Sequence, residues 1–250
     1  MTICVLGKNL TSLLVSKILV NKGINVDIFF RDKNKEKKNS RTIGLSNDSI
    51  NFLEREKIFS KKDCWSIKKI NLYKGKEIKK FLSFNPSNNC FFIAHYSKLY
   101  NSIESNLKKN YLIKLRKKKR DDSLKFLNQN YELIINTETD NNLSRKYFNK
   151  QIKKDYKSVA YTTILTHSKL SNKIAEQYFT IYGPIAFLPI SNHRTSVVFS
   201  ILRKNLIGDE NKITMLIKEF AKKYRINDIN VLEKFPINLS LSRNYYHKNV

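Results

Sequence analysis

The sequence predicts an α/β fold in which a parallel, nucleotide-binding sheet is interleaved with a second, mainly antiparallel sheet. Two observations predict it. The opening stretch, TICVLGKNLTSLLVSKILVNKGINVDIFF over 2–30, reads as an apolar strand, a turn opened by a glycine, a helix, a second glycine and a second strand. Its apolar residues run unbroken in Thr2–Leu6 and then fall at helical spacing at Leu10, Leu13, Leu14, Ile18 and Leu19, the pattern of a βαβ unit. Farther on, short β-like runs fill Trp65 to His95. They return in SVAYTTILTH, QYFTIYGPIAFLPIS and TSVVFSILRK, which suit one antiparallel sheet. Helix-alternating pieces interrupted by two β-rich blocks point to two interleaved layers systems rather than one.

The remaining elements follow in order. RDKNKEKKNS is a charged loop, and RTIGLSNDSINFLERE continues as a strand entering a helix with Ser46 or Asn47 as its cap. SKLYNSIESNLKKN places Leu99, Ile103 and Leu107 on one helical face. YELIINTETD is a buried strand with a polar end, DENKITMLIKEFAKKY a helix, and FPINLSLSRNYY a last strand. Residues 1–62 and 96–158 are thereby assigned to the nucleotide-binding domain, and 63–95 and 159–250 to the β-sheet domain.

The net charge of +27 is extreme, but the lysines are scattered through every segment. The densest run, KLRKKKR at Lys114–Arg120, lacks interleaved aromatics and any helix-turn-helix, RRM or zinc-finger pattern, so nucleic acid is not the expected partner. A basic nucleic-acid-binding protein whose βαβ start is coincidental is the alternative, and it requires salt-sensitive binding. Three cysteines without paired spacing suggest neither disulfides nor zinc and fit a reducing cytoplasm. No run approaches the ~18 apolar residues of a membrane span. The four histidines are far apart, and no Ser-His-Asp, paired-carboxylate or metal spacing is present, so no catalytic side chain and no metal ligand is assigned.

A dinucleotide fingerprint needs glycines for a tight turn, for close approach of backbone to pyrophosphate, and for close helix–strand packing. The three positions here are Gly7, Asn9 and Ser12. Only the turn glycine is kept. Asn9 tolerates a positive φ and Ser12 is small, so the loop still leaves a helix N-terminus open to phosphate. The acidic residue for the ribose belongs at the end of the second strand, where position 30 is Phe. Asp32 follows two residues later and is the candidate, while Asp27 lies inside the strand. The residues alone leave two readings open: a dinucleotide site, or a βαβ unit that only packs.

Further segments carry a resemblance. RTIGLSNDSINFL is similar to a segment whose arginine reaches a flavin, a role that falls to Arg41. YELIINTETDNNLSRKYF is similar to a strand followed by an Asp-Gly motif, with Asp140 at the acidic position and Asn141 in place of glycine. EQYFTIYGPIAFLPISNHRTSVVFSI matches at Gly183, Pro184, Ala186, Leu188 and Pro189 with every offset preserved. Together these resemble the flavin-dependent aromatic hydroxylases of ubiquinone biosynthesis, within the p-hydroxybenzoate-hydroxylase-like monooxygenases. The resemblance implies an FAD/NAD(P)-binding Rossmann-like domain interleaved with a mainly antiparallel substrate domain. It implies FAD as cofactor, NAD(P)H and O2 as co-substrates, and hydroxylation of a polyprenyl-phenol lipid. Gly7, Asn9, Ser12, Asp32, Arg41 and Asp140 would bind the cofactor, and Gly183, Pro184, Phe187 and Pro189 would line the substrate pocket. A cytoplasmic protein in peripheral contact with the inner face of the membrane, within a quinone-biosynthesis assembly, follows from the same resemblance. The alternative within this fold is a non-catalytic accessory protein. The family's second flavin segment, a Gly-Asp followed by a His-Pro and glycine-rich stretch, would begin a few residues after Val250. The expectation is a C-terminally truncated chain that binds FAD poorly and does not turn over alone.

Overall fold

The computed structural model describes residues 1–31, 41–74, 79–86, 91–117, 124–203 and 210–250. In chain order the elements are β1 (Thr2–Leu6), α1 (Leu10–Asn21), β2 (Asn25–Phe30), β3 (Thr42–Leu45), α2 (Asn47–Arg55), β4 (Trp65–Ile67), β5 (Lys69–Lys74), β6 (Lys79–Phe84), β7 (Phe91–His95) and α3 (Tyr96–Lys108). There follow β8 (Ile113–Lys117), α4 (Leu124–Asn130), β9 (Leu133–Asn136), α5 (Asn142–Tyr147), β10 (Gln151–His167), β11 (Ile174–Phe179), β12 (Pro184–Pro189), β13 (Arg194–Leu202), α6 (Glu210–Phe220), β14 (Ile226–Ile229) and β15 (Glu233–Ser242).

The opening βαβ forms as its periodicity requires. Strands β1 and β2 pair in parallel, and β8 and β9 extend them to a four-stranded sheet of order β8-β2-β1-β9. Both faces of β1 are covered. Ile3 and Val5 pack with Leu13 of α1 and with Leu99, Ile103 and Leu107 of α3, while Cys4 and Leu6 pack with Tyr131, Ile134 and Leu143. Ser12 and Ser16 of α1 are fully buried, so small side chains sit where the helix meets the sheet. Ser46, rather than Asn47, caps α2, its hydroxyl accepting the Ser49 N–H at 3.1 Å.

The second sheet has the order β14-β10-β13-β12-β11-β5-β6, with β15 pairing β10. Its pairs are antiparallel except one: β5 runs parallel to β11, joining segments about a hundred residues apart. The alternation along each strand divides the sheet's faces. Ile185, Phe187, Val197 and Phe199 lie under Ile213 and Ile217 of α6. Ile164, Ala175 and Ile190 meet Ile67 and Ile93 on the opposite face. Those two isoleucines belong to a third, small sheet, β3-β7-β4, so the β-rich run from Trp65 to His95 divides between two sheets. The small sheet is tied to the large one by Thr42, whose hydroxyl donates to Ser196 Oγ at 3.1 Å, and by the Trp65 indole N–H donating to the Asn172 carbonyl at 2.6 Å. Among the described residues no helix is long and apolar enough to cross a membrane.

Candidate functional site

In an open parallel sheet, ligands bind beyond the carboxyl ends of the strands where the strand order reverses. Here that place lies between β1 and β9, and Gly7, Thr137 and Glu138 meet there. Gly7 has φ +110 and follows β1 directly. A Cβ on it would lie 2.5 Å from Thr137 Oγ1 and 3.0 Å from Glu138 Cγ, so glycine is required both by conformation and by close approach. Thr137 is held by donating its hydroxyl, at 2.8 Å, and its N–H, at 3.0 Å, to the carbonyl of Leu6.

Asn9 does not take a positive φ. At φ −107 it is the N-cap of α1, accepting the Ser12 N–H at 3.0 Å while its own N–H donates to Ser12 Oγ at 2.9 Å. Its amide nitrogen also donates to the carbonyl and hydroxyl oxygens of Thr137, at 3.0 and 3.1 Å. One side chain thus caps the helix and fastens it to the end of β9. No acidic residue occupies the first turn of α1, and the N–H groups of Leu10 and Thr11 have no partner within the helix. The α1 end thus offers a dinucleotide a glycine turn and a helix N-terminus with no carboxylate on the helix itself, while the Glu138 side chain lies against Gly7.

The ribose end is built differently. Phe30 is buried, and the Lys8 ammonium lies over its ring at 4.7 Å from the centroid. Lys8 is ion-paired with Glu104 of α3 at 2.6 Å, and Glu104 also meets Lys108 at 3.3 Å. Burial alone would raise the Glu104 carboxyl, but the two lysines prevail and hold it below its ordinary value. Tyr100 donates its hydroxyl to the Lys8 carbonyl at 3.1 Å, and burial, with Glu104 adding, pushes this phenol up to about 12. Among the described residues, the carboxylate at this end of the crevice is that of Glu104 on α3, already paired with two lysines. Asp32 lies outside the described residues. Asp27 is buried in the sheet, accepting from Arg116 Nε at 2.8 Å and from the Tyr131 hydroxyl at 2.6 Å, at the edge of a cleft of about 390 Å³ near the opposite ends of the strands.

Arg41 stands at the start of β3 with its guanidinium 4.6 Å from the Tyr96 ring centroid, and its carbonyl accepts the Tyr96 N–H at 3.0 Å. Tyr96 and Tyr100, one helical turn apart, stack at 6.3 Å. Arg41, Tyr96, Tyr100 and Lys8 therefore form a continuous line from the small sheet to the β1–α1 loop. His95, which precedes α3, is half-buried. Burial, with the charges of Arg194 and Lys98, holds its imidazole below the ordinary value.

Asp140 is exposed just before α5. Its neighbour Asn141, at the expected glycine position, caps α5 by accepting the Ser144 N–H at 2.8 Å and donates to Asn136 Oδ1 at 2.7 Å. The segment holding Gly183 and Pro184 is a hairpin between β11 and β12. Gly183 has φ +136, and a Cβ there would fall 2.0 Å from the Ser200 carbonyl oxygen. Pro184 is exposed, Phe187 is fully buried against α6, and Pro189 pairs with Thr195 beside the Thr42–Ser196 contact. The structure thus gathers Gly7, Asn9 and Ser12, lines Arg41 up with them through α3, and places Gly183 and Pro184 at the other end of β12. Lys8, Tyr100, Glu104 and Thr137 complete the crevice without any local sequence signal beyond the i, i+4 spacing of Tyr96, Tyr100 and Glu104.

No protein-family model and no curated protein matches the chain. Solved structures do. Pseudomonas aeruginosa PqsL, a probable FAD-dependent monooxygenase, superposes with a TM-score of 0.75 at 12% identity over 100% of this chain and 76% of that one. PqsL in complex with 2-aminobenzoylacetate gives 0.77 at 12% identity, over 100% and 77%. The p-nitrophenol 4-monooxygenase PnpA from Pseudomonas putida DLL-E4 gives 0.73 at 10% identity, over 99% and 71%. At such identities the likeness establishes architecture, and this chain has the fold of the FAD-binding monooxygenases.

Proposed function

We propose that this chain is the fold of a flavin-dependent monooxygenase that hydroxylates the ring of an apolar phenol, a polyprenyl-phenol intermediate of ubiquinone synthesis, with FAD as cofactor and NAD(P)H and O2 as co-substrates. The observation that carries the reading is Gly7, at positive φ ahead of a capped helix N-terminus, in the crevice of a FAD-binding-monooxygenase fold. The resemblance in GPIAFLP and the phenolic substrate in the name of PnpA support an aromatic substrate.

When bound, the flavin supplies the activation of O2, using electrons from the nicotinamide. The chain's own residues supply position and exclusion of water. The α1 N-terminus and Gly7 receive the pyrophosphate, since exposed N–H groups and the helix dipole favour an anion there. Glu104 accepts ribose hydroxyls, and Arg41, held over the Tyr96 ring, presents a fixed cation to the cofactor. No side-chain nucleophile takes part.

Fluorescence titration with FAD tests the reading. Weak but saturable quenching is expected, weakened about tenfold further by Asn9→Asp, which keeps the cap, gives up the amide contacts to Thr137 and sets a carboxylate against the phosphates. A folded protein showing no saturable quenching, or equal affinity in the variant, overturns it. A second reading, a non-catalytic accessory protein of quinone synthesis, draws on the packing of Thr137 and Glu138 against Gly7 and of Lys8 over Phe30. It requires that flavin is not bound at all.

A further inference from the structure

The other end of β12, away from the Thr42–Ser196 contact, ends in an apolar tip. Phe179 closes β11 and is 43% exposed, Ile181 in the hairpin turn is 75% exposed, and Phe81 on the edge strand β6, beyond β5, is 49% exposed. The rings of Phe81 and Phe179 lie 6.0 Å apart, so these two side chains form one patch, with Ile181 two residues beyond Phe179 in the turn. Lysines border it on β5 and β6, and Glu77 in the connection between those strands lies outside the described residues. Lys74 Nζ lies 5.8 Å from the Phe81 centroid, and Lys79 and Lys80 precede Phe81 on a strand whose residues are all exposed. Neither Lys79–Phe84 nor the turn 179–183 contains a carboxylate.

We propose that this tip docks on an anionic lipid bilayer, with Phe81, Phe179 and Ile181 entering the interface and Lys74, Lys79 and Lys80 meeting headgroup phosphates. Aromatic and aliphatic side chains bordered by lysine suit a surface with an apolar interior and anionic headgroups, where burial and charge act together. A second copy of the chain is disfavoured as occupant. It would bring its own lysines against these and add another +27 charges, and lysine on an edge strand opposes strand-to-strand pairing. The proposal goes beyond the flavin reading and does not depend on it.

Cosedimentation with phosphatidylcholine vesicles, alone and with about one-third phosphatidylglycerol, tests it at roughly physiological ionic strength. The protein is expected to sediment with the anionic vesicles only. The triple variant Phe81→Ser, Phe179→Ser, Ile181→Ser, which retains every charge, is expected to partition at least about tenfold more weakly. Lys79→Glu with Lys80→Glu should lose binding as well. If the triple variant binds as the parent does, net charge alone accounts for binding and the tip is not the docking surface. Absence of sedimentation in the parent also overturns the proposal, as does a concentration-dependent dimer that the triple variant abolishes. Circular dichroism confirms folding. The FAD titration of the triple variant should match the parent, so failure of the flavin reading and failure of this one register in different assays.

Discussion

Gly7 and Gly183 show how much a single methyl group can cost at two levels of yielding. At Gly183 the obstacle is the Ser200 backbone, which cannot move without disturbing the β12–β13 pairing. Gly183→Ala is expected to lose about 3 kcal/mol or more in urea denaturation. At Gly7 the nearest atom is a hydroxyl that can rotate away. Gly7→Ala should cost about 2–3 kcal/mol, from the Thr137 hydroxyl's bonds to Leu6 and Asn9 and the left-handed backbone, while weakening flavin affinity more than stability. His95 gives a pH signature. Its folded value lies below the ordinary 6.5, so the unfolded chain binds this proton more readily and stability falls as pH drops through 6.5 toward the folded value. Melting temperatures recorded from pH 8 to pH 5 should show that fall, and His95→Gln should remove part of it.

The elements differ in how much of their role a local pattern can carry. The βαβ start was readable because unbroken apolar strands and a 3.6-residue spacing have few other folds to serve. The face of α3 was readable at Leu99, Ile103 and Leu107 for the same reason. In β12, alternation says that Ile185, Phe187 and Pro189 share a face, but not that α6 covers it. That depends on a helix more than twenty residues later. Phe187→Ala should therefore behave as a core deletion, costing about 3–5 kcal/mol in chemical denaturation. The GPIAFLP match has a backbone cause at its start, the Gly183 approach to Ser200, visible only once β12 and β13 are paired. The Lys8–Glu104 pair was illegible for a similar reason: it joins residues almost a hundred positions apart, and no spacing rule connects them.

At the scale of the whole molecule, the charge balance sets the response to salt. The ion pairs Lys98–Asp63, Arg203–Asp155 and Lys234–Glu210 are exposed on both sides and contribute little each, whereas +27 net charges repel one another throughout. Raising sodium chloride from about 20 mM to about 500 mM should increase the melting temperature, because screening shortens the reach of repulsion from roughly 20 Å to under 5 Å. A decrease would mean that the ion pairs dominate. The lone parallel pair of the large sheet has a different consequence, in time rather than in energy. On a ribosome, β5 and β6 emerge about a hundred residues before β11, the strand that joins them to the rest of the sheet. At synthesis rates of ~5–20 residues per second they wait for many seconds as an unpaired hairpin bearing Phe81, Leu82 and Phe84. The lysines that open β6 oppose pairing of the waiting hairpin with another copy of itself.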